Sequence, residues 1–221
     1  LNDVNQEILQ RARQQIARHL LMMAEMGLAQ AERVAGVADR IRYDTSLANT
    51  VTEADLVIEA VSEDLAVKQQ LFTQLDRLCP PRTILASNTS TFIPSKLAAA
   101  TDRPEKVLIA HYFNPPYLLP LVEIVRAPQT AEETVETVYQ LLVKVGKRPV
   151  RLQKEVPGFI ANRLQSALYR EALSLVEQGI ATPADVDTVI RNSIGRRWSV
   201  AGVFEVFDLG GLDVILRVAT L

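Results

Sequence analysis

Leu56-Val57-Ile58-Glu59-Ala60-Val61 is the stretch that decides the fold, because it is short, apolar and rich in β-branched residues. Such a run predicts a strand buried on both faces, as in parallel sheets. Ser62 follows as the expected N-cap of a helix over 63–78, and Thr83-Ile84-Leu85-Ala86 predicts the next strand. A strand, a helix and a second strand in this order indicate a parallel sheet with right-handed crossovers. The fold class is therefore predicted to be α/β, with a doubly wound sheet.

The same alternation continues on both sides of this unit. The predicted helices are 5–26, 30–38 and 94–100, and the predicted strands are 40–43, 106–113, 121–125 and 150–152. Thr130 and Glu133 have the spacing of a capping box, which predicts a further helix from there to about residue 145.

The pattern changes after residue 153, where only helical periodicity remains. Pro157 is expected at the first position of a long helix that ends at Gly179, and Thr182 is expected to cap the next helix. The predicted domains are an α/β domain over 1–153 and an all-α domain over 154–221.

The composition is that of an ordinary globular protein. The 221 residues are 48% hydrophobic and 23% charged, with a net charge of −2. This balance excludes a disordered chain and gives no electrostatic reason to expect a nucleic-acid partner. No apolar run approaches the ~20 residues that cross a bilayer, so no membrane partner is expected. Cys79 is the only cysteine, which favours a reducing, cytoplasmic location.

His111 and Glu123 are the residues best suited to proton transfer. His111 ends a predicted strand, and histidine ordinarily titrates near neutral pH. Glu123 is a lone carboxylate in an apolar strand, where an unpaired charge is costly to bury. The short proline-containing loop between the two strands can bring them side by side, so a His–carboxylate pair is predicted. The alternatives are a histidine at the edge of the core and a glutamate that faces solvent from an edge strand.

Two further polar groups are candidates. Ser87-Asn88-Thr89-Ser90 follows a strand, at the edge where doubly wound sheets bind ligands. An ordinary Asx or Ser turn is the alternative. Asn162 falls in the first turn of the long helix, where a local polar surface residue is the alternative. No His, Cys or acidic cluster has metal-ligand spacing, so no metal site is predicted.

Five segments, taken in order, resemble the L-3-hydroxyacyl-CoA dehydrogenase family. They are Glu59–Lys68, Ala86–Ser90, His111–Pro116, Leu121–Val125 and Pro157–Arg163. The resemblance implies an NAD-binding, Rossmann-like domain followed by an all-α domain that forms a homodimer. It also implies NAD-dependent oxidation of the 3-hydroxyl of an L-3-hydroxyacyl-CoA to the 3-ketoacyl-CoA, as in fatty acid β-oxidation.

The resemblance implies roles for individual residues. His111 and Glu123 match the catalytic pair, and Ser90 and Asn162 match residues that contact substrate during catalysis. The residues implied in cofactor binding are Asp3, Ala60, Glu63, Lys68, Asn88, Ser90 and Asn114. A carboxylate at Asp3 would bond the adenosine ribose of NAD and repel the 2′-phosphate of NADP, so NAD is the expected cofactor.

The sequence also departs from the family. Its nine glycines include no Gly-x-Gly pair, and the family's first strand and helix have no counterpart. The sheet is therefore expected to be incomplete at the N-terminus, and the chain to be a fragment of a longer protein. Arg196-Arg197-Trp198 leaves acyl specificity open. Three hypotheses remain: a hydroxyacyl-CoA dehydrogenase, a dehydrogenase of a small hydroxy acid such as L-gulonate or carnitine, and a non-catalytic nucleotide-binding or scaffold protein.

Overall fold

The computed structural model describes residues 1–211, 213, 216 and 217 of the chain. The chain divides into two compact units, Leu1–Ile160 and Ala161–Leu221. The predicted domain boundary, between residues 153 and 154, precedes this division. The end of the predicted all-α domain, 218–221, lies outside the described residues.

The first unit is built on a five-stranded sheet whose strands follow one another in chain order. The strands are β1 (Leu56–Glu59), β2 (Ile84–Ser87), β3 (Val107–Tyr112), β4 (Leu121–Arg126) and β5 (Arg148–Leu152). Neighbouring strands are parallel except for β3 and β4, which are antiparallel. The expectation of a wholly parallel sheet is wrong at this pair, because the loop between them is too short for the crossover that parallel neighbours need.

Helices cover both faces of this sheet. The helices of the unit are α1 (Gln6–Glu25), α2 (Ala31–Ala38), α3 (Leu47–Val51), α4 (Leu65–Leu78), α5 (Pro94–Ala98) and α6 (Glu132–Lys144), with a 3-10 turn at Pro104–Lys106. On one face, Phe72 of α4 and Leu97 of α5 pack with Leu85 of β2. On the other face, Val138 of α6 packs with Ala86. Strand residues alternate between two buried clusters, which confirms the doubly wound α/β fold.

Two strand predictions need correction. β1 ends at Glu59 rather than at Val61, and it is an edge strand rather than one buried on both faces, since Ile58 is 45% exposed. The stretch 40–43 is not a strand in the structure; the nearby Asp44 forms an isolated bridge with Asn2. Among the described residues, β1 pairs only with β2, so its other side has no neighbouring strand.

Two helix starts also differ from the prediction. Asp64 rather than Ser62 caps α4, because its carboxylate accepts a hydrogen bond from the backbone N–H of Val67. The predicted capping box at Thr130 is absent. The Thr130 hydroxyl instead donates to the Val107 carbonyl (2.6 Å) and accepts from the Ala127 N–H (2.9 Å), so it is already committed to the sheet.

The second unit is helical. Its helices are α7 (Ala161–Glu177), α8 (Pro183–Asn192), α9 (Ile194–Trp198) and α10 (Val203–Gly210). The expected N-cap at Thr182 is confirmed, and it forms a capping box with Asp185. No helix among the described residues has both the length and the apolar character that crossing a membrane requires.

Candidate active site

The register of β3 and β4 places His111 directly opposite Glu123. Because strand residues alternate in direction, both side chains lie on the face of the sheet that α4 and α5 cover. His111 Nδ1 lies 2.9 Å from Glu123 Oε2. The predicted pair is therefore present as a direct hydrogen bond between adjacent strands.

The pair lies in an apolar, largely dehydrated setting. Glu123 is 1% exposed and His111 is 4% exposed. The imidazole ring contacts two phenyl rings, with centroid distances of 4.6 Å to Phe113 and 5.4 Å to Phe159. No described residue bonds Nε2, and no buried side-chain polar atom in the described part of the chain lacks a partner. We conclude that Nε2 lies in the small exposed part of the residue.

The turn before α7, residues 157–160, contacts both members of the His111–Glu123 pair. Pro157 was expected to begin a helix, but Gly158 (φ 74°) and Phe159 (φ 53°) are in the left-handed region, so the helix begins only at Ala161. This conformation is unfavourable for a phenylalanine, at a cost of about 1–3 kcal/mol. It seats the phenyl ring beside the imidazole and lets the Ile160 N–H donate to Glu123 Oε1 at 2.9 Å.

A second ionic group, with Glu59 and Lys68 buried and Glu63 exposed, lies at the carboxyl ends of β1 and β2. We call Glu59, Glu63 and Lys68 the lysine cluster. Lys68 is 1% exposed, and its Nζ donates to three acceptors: Glu59 Oε1 (2.8 Å), Glu63 Oε2 (3.2 Å) and the Val61 carbonyl (3.2 Å). Glu59 also accepts a hydrogen bond from the Ser87 hydroxyl. The ammonium group of Lys68 was predicted to contact the cofactor. In the structure its three acceptors all belong to the protein itself.

Glu63 binds the loop that follows β2. Its Oε1 accepts hydrogen bonds from the Thr89 hydroxyl, the Ser90 N–H (3.1 Å), the Thr91 N–H (3.2 Å) and the Thr91 hydroxyl (2.7 Å). Burial raises the pKa of Glu63, but the hydrogen bonds from Thr89, Thr91 and Lys68 outweigh it and lower the pKa from 4.5 to about 2. Glu63 is therefore an anion that fixes this loop at neutral pH.

The loop after β2 is also hydrogen-bonded to β3, the strand that contains His111. The Asn88 amide oxygen accepts a hydrogen bond from the Tyr112 N–H at 2.8 Å, and the Asn88 N–H donates to the Glu59 carbonyl at 2.8 Å. Ser90 comes two residues later. Thus β1, β2 and β3 end in one continuous set of hydrogen bonds.

The remaining predicted residues lie elsewhere. Ala60 and Asn114 are exposed in the segments after β1 and β3. Asp3 lies in the N-terminal segment, where its Oδ1 accepts from the Asn5 N–H. Asn162 lies in the first turn of α7, in the second unit. Among the described residues, no three His, Cys, Asp or Glu side chains form a group that could hold a metal.

The residues present fit NAD in part. Asn88 has its amide oxygen fixed, and no described residue bonds its amide nitrogen, so that N–H group can donate to a ligand. The second carboxylate oxygen of Asp3 suits a ribose hydroxyl. Glu63 and Lys68, in contrast, bond mainly to the protein.

Comparison with known proteins identifies the family of the chain. Residues 1–156 match the NAD binding domain of 3-hydroxyacyl-CoA dehydrogenase, and residues 158–221 match the C-terminal domain of the same enzyme. The chain belongs to the 3-hydroxyacyl-CoA dehydrogenase family. Within this family, NAD is the cofactor of the N-terminal domain, as the resemblance implied.

Several members of the family are similar to the chain. L-carnitine dehydrogenase of a Pseudomonas species is 40% identical over 94% of the chain and 64% of its own length. A probable 3-hydroxybutyryl-CoA dehydrogenase of Bacillus subtilis is 37% identical over 98% of the chain and 74% of its own length.

A crystal structure of 5-formyl-3-hydroxy-2-methylpyridine 4-carboxylic acid 5-dehydrogenase, described as an NAD+-dependent dismutase, is 36% identical. It superposes with a TM-score of 0.89 over 100% of the chain and 70% of that protein. The chain thus spans a little under two thirds of the Pseudomonas relative and somewhat more of the other two.

The roles of Glu59 and Phe159 were not predicted from the sequence. Glu59 carries the same signal as Glu123, a single carboxylate in an apolar strand, and the rule that such charges are paired would have found it. Nothing in the sequence marks the positive φ of Phe159, since that angle is normally a property of glycine.

Proposed function

We propose that the protein is an NAD-dependent dehydrogenase in which His111 is the general base and Glu123 orients it. The observation that carries the proposal is the 2.9 Å contact between His111 Nδ1 and Glu123 Oε2, with Nε2 unbonded by the described residues. A carboxylate only accepts hydrogen bonds, so it favours the tautomer with the proton on Nδ1. The lone pair on Nε2 is then available to accept a proton from a substrate hydroxyl.

The charges of the pair match this step. When Nε2 takes the hydroxyl proton, the ring becomes an imidazolium, and the adjacent Glu123 carboxylate stabilises that charge in its low-dielectric setting. NAD+, when bound, supplies the electron acceptor for the hydrogen that leaves the carbinol carbon with its electron pair. The alcohol becomes a ketone, and the proton remains on His111 until it passes to solvent.

Two further residues complete the proposal. Ser90 and Asn162 are assigned to the substrate oxygen, because a hydroxyl and an amide N–H can both donate to it as it becomes a carbonyl. Support for Ser90 comes from its loop, which Glu63 and Asn88 fix beside the end of β3. Support for Asn162 is the family motif alone.

The proposed substrate class is a 3-hydroxy acid or its CoA thioester, since both carry the reacting hydroxyl on the same carbon relative to the carboxyl group. A free small acid is favoured, because the L-carnitine dehydrogenases are 40% to 42% identical to the chain, against 37% for the probable 3-hydroxybutyryl-CoA dehydrogenase and 39% for another 3-hydroxybutyryl-CoA dehydrogenase.

NADH formation by the full-length protein tests both the dehydrogenase activity and the choice of substrate. L-carnitine, L-gulonate and 3-hydroxybutyryl-CoA are supplied in turn with NAD. We expect turnover, with kcat/KM at least about tenfold higher for one of the free acids than for the thioester. A higher kcat/KM for the thioester would make the CoA thioester, and not the free acid, the proposed substrate. A melting temperature that rises with NAD but no turnover on any substrate would instead support a non-catalytic nucleotide-binding protein.

We further propose a cytoplasmic homodimer joined through the helical unit. The single, buried Cys79 suits a reducing compartment. Leu173, Phe204 and Leu209 of the helical unit are largely exposed, as is typical of an interface. Light scattering should give twice the mass of one chain.

A further inference from the structure

We propose that Glu59 is a positioning residue, which acts through Lys68 and Ser87 to hold the loop 87–91 in its working conformation. The proposal rests on the proposed function, because that loop carries Ser90, the residue assigned to the substrate oxygen. Glu59 itself lies in the sheet and is 3% exposed, so it acts through its neighbours rather than on a ligand.

The hydrogen bonds that Glu59 accepts all come from groups near the carboxyl ends of β1 and β2. Oε1 accepts from Lys68 Nζ (2.8 Å) and from the Val61 N–H (2.7 Å), and Oε2 accepts from the Ser87 hydroxyl. Its backbone carbonyl accepts from the Asn88 N–H. Glu59 therefore fixes both the segment after β1 and the start of the loop after β2.

Lys68 transmits this arrangement to the far part of the loop. Its ammonium group lies between the carboxylates of Glu59 and Glu63 and holds Glu63 Oε2 at 3.2 Å. The other oxygen of Glu63 is then left for four donors of the loop, among them the backbone N–H groups of Ser90 and Thr91. Without Glu59, Lys68 could turn wholly toward Glu63 and shift the carboxylate that holds Ser90.

A comparable ion pair at the other end of α4 provides the control. Asp76 Oδ1 accepts from Arg103 Nε at 2.7 Å, and the two side chains are 13% and 15% exposed. The Arg103 guanidinium also donates to the carbonyl of Pro80. This pair lies far along the helix from the loop 87–91 and has no bond to it, so it stabilises the fold without positioning Ser90.

The experiment compares three forms of the full-length protein: Glu59→Gln, the double variant Glu59→Gln/Lys68→Met, and the control Asp76→Asn/Arg103→Met. Melting temperature, kcat, KM and amide hydrogen exchange of Ser90 and Thr91 are measured for each. The double variant removes both charges of the buried pair, so its melting temperature should recover toward that of the parent relative to Glu59→Gln alone.

We expect catalysis to stay low when stability recovers. Both Glu59 variants should lose about 10- to 100-fold in kcat, because small misplacements of a substrate contact are costly, with KM for the alcohol changed less than about threefold. The pH dependence of the rate should keep its midpoint, since His111 and Glu123 are untouched. Exchange at the Ser90 and Thr91 amides should be about tenfold faster. The control double variant should keep kcat and these exchange rates.

Recovery of kcat together with melting temperature in the double variant would overturn the proposal and make the pair merely structural. Should Glu59→Gln not fold, Ser87→Ala removes the hydroxyl that donates to Glu59 Oε2 and accepts from the Thr89 N–H, and unchanged kcat and exchange in that variant would equally overturn the proposal. Failure of the proposed function is distinct: the parent would then show no turnover, while the exchange rates would still report whether Glu59 holds the loop.

Discussion

Two buried carboxylates, Glu123 and Glu59, lie on the same face of one sheet and differ chiefly in the cation or base beside them. Glu123 bonds the imidazole of His111, whereas Glu59 bonds the ammonium group of Lys68. An imidazole ordinarily gains and loses a proton near neutral pH, but an ammonium group keeps its proton there. The first pair can therefore move a proton, and the second can only hold neighbouring groups in place.

The surroundings of the two pairs agree with this difference. The His111 ring has one nitrogen bonded and one nitrogen left open by the described residues. Lys68 donates to three acceptors of the protein. The comparison predicts that changes at the first pair act mainly on rate and that changes at the second act on both stability and rate.

Glu123→Gln should give the largest effect. The amide can turn its NH2 group toward Nδ1, which favours the tautomer with the proton on Nε2, and that ring can no longer accept a proton from the substrate. We expect kcat to fall by about 10²–10⁴-fold, the range in which general-base catalysis contributes. Steady-state NADH formation measures it.

The matched control for that change is Glu136→Gln. Glu136 pairs with Arg151 at the surface of α6, so its kcat should equal that of the parent. A Glu123→Gln variant that retains more than about half of the parental kcat would show that the carboxylate does not set the tautomer.

Lys68→Met should give the next largest effect, on stability and, through the loop 87–91, also on rate. It leaves Glu59 buried without a cation, and breaking a buried pair costs about 3–5 kcal/mol. Urea unfolding measures the loss. Lys144→Met, at an exposed position on α6, should change the free energy of unfolding by less than about 0.5 kcal/mol. A loss below about 1 kcal/mol for Lys68→Met would mean that the ammonium group does not neutralise the cluster.

The sequence predicted the His111–Glu123 pair but not the Glu59–Lys68 pair. Glu123 was identified because a single acid in an apolar strand must find a partner, and a short loop placed His111 within reach. Glu59 met the same criterion, but its partner Lys68 lies in the following helix. The family resemblance implied that this lysine contacts the cofactor, not Glu59. Pairing across a crossover connection depends on how α4 packs on the sheet, and local patterns do not contain that information.

The errors in the fold have the same origin. The Thr130 hydroxyl had the right spacing for a cap, yet tertiary structure offered it the Val107 carbonyl of β3. The antiparallel direction of β4 followed from loop length and could have been predicted, whereas the left-handed turn at Phe159 depends on contacts with Glu123 and His111. Periodicity predicted most of the elements, whereas the helix starts near Thr130 and Phe159 depended on long-range hydrogen bonds.

Thr91→Val should give the smallest effect, and one that depends on pH. The pKa of Glu63 is lowered to about 2, so its contribution to stability is present above its ordinary pKa of 4.5 and is lost as the pH falls through about 2. Removing the Thr91 hydroxyl, one of the groups that lower this pKa, should cost about 1 kcal/mol or less at neutral pH. The deficit should shrink as the pH approaches 2.

Thermal unfolding of parent and variant between pH 7 and pH 2 measures this dependence. Thr101→Val is the control, because the Thr101 hydroxyl donates to the neutral Ala98 carbonyl, and its deficit should not vary with pH. A Thr91→Val deficit that stays constant over the same range would contradict the assignment of Glu63 as the anion that fixes the loop.

The most direct test of the central claim is kcat of full-length His111→Gln with NAD and the best alcohol substrate. If Nε2 of His111 is the base, kcat falls by about 10²–10⁴-fold while the Kd for NAD stays within about threefold of the parental value. Turnover at the parental rate in that variant would contradict the account, because the proton would then leave the substrate by another route.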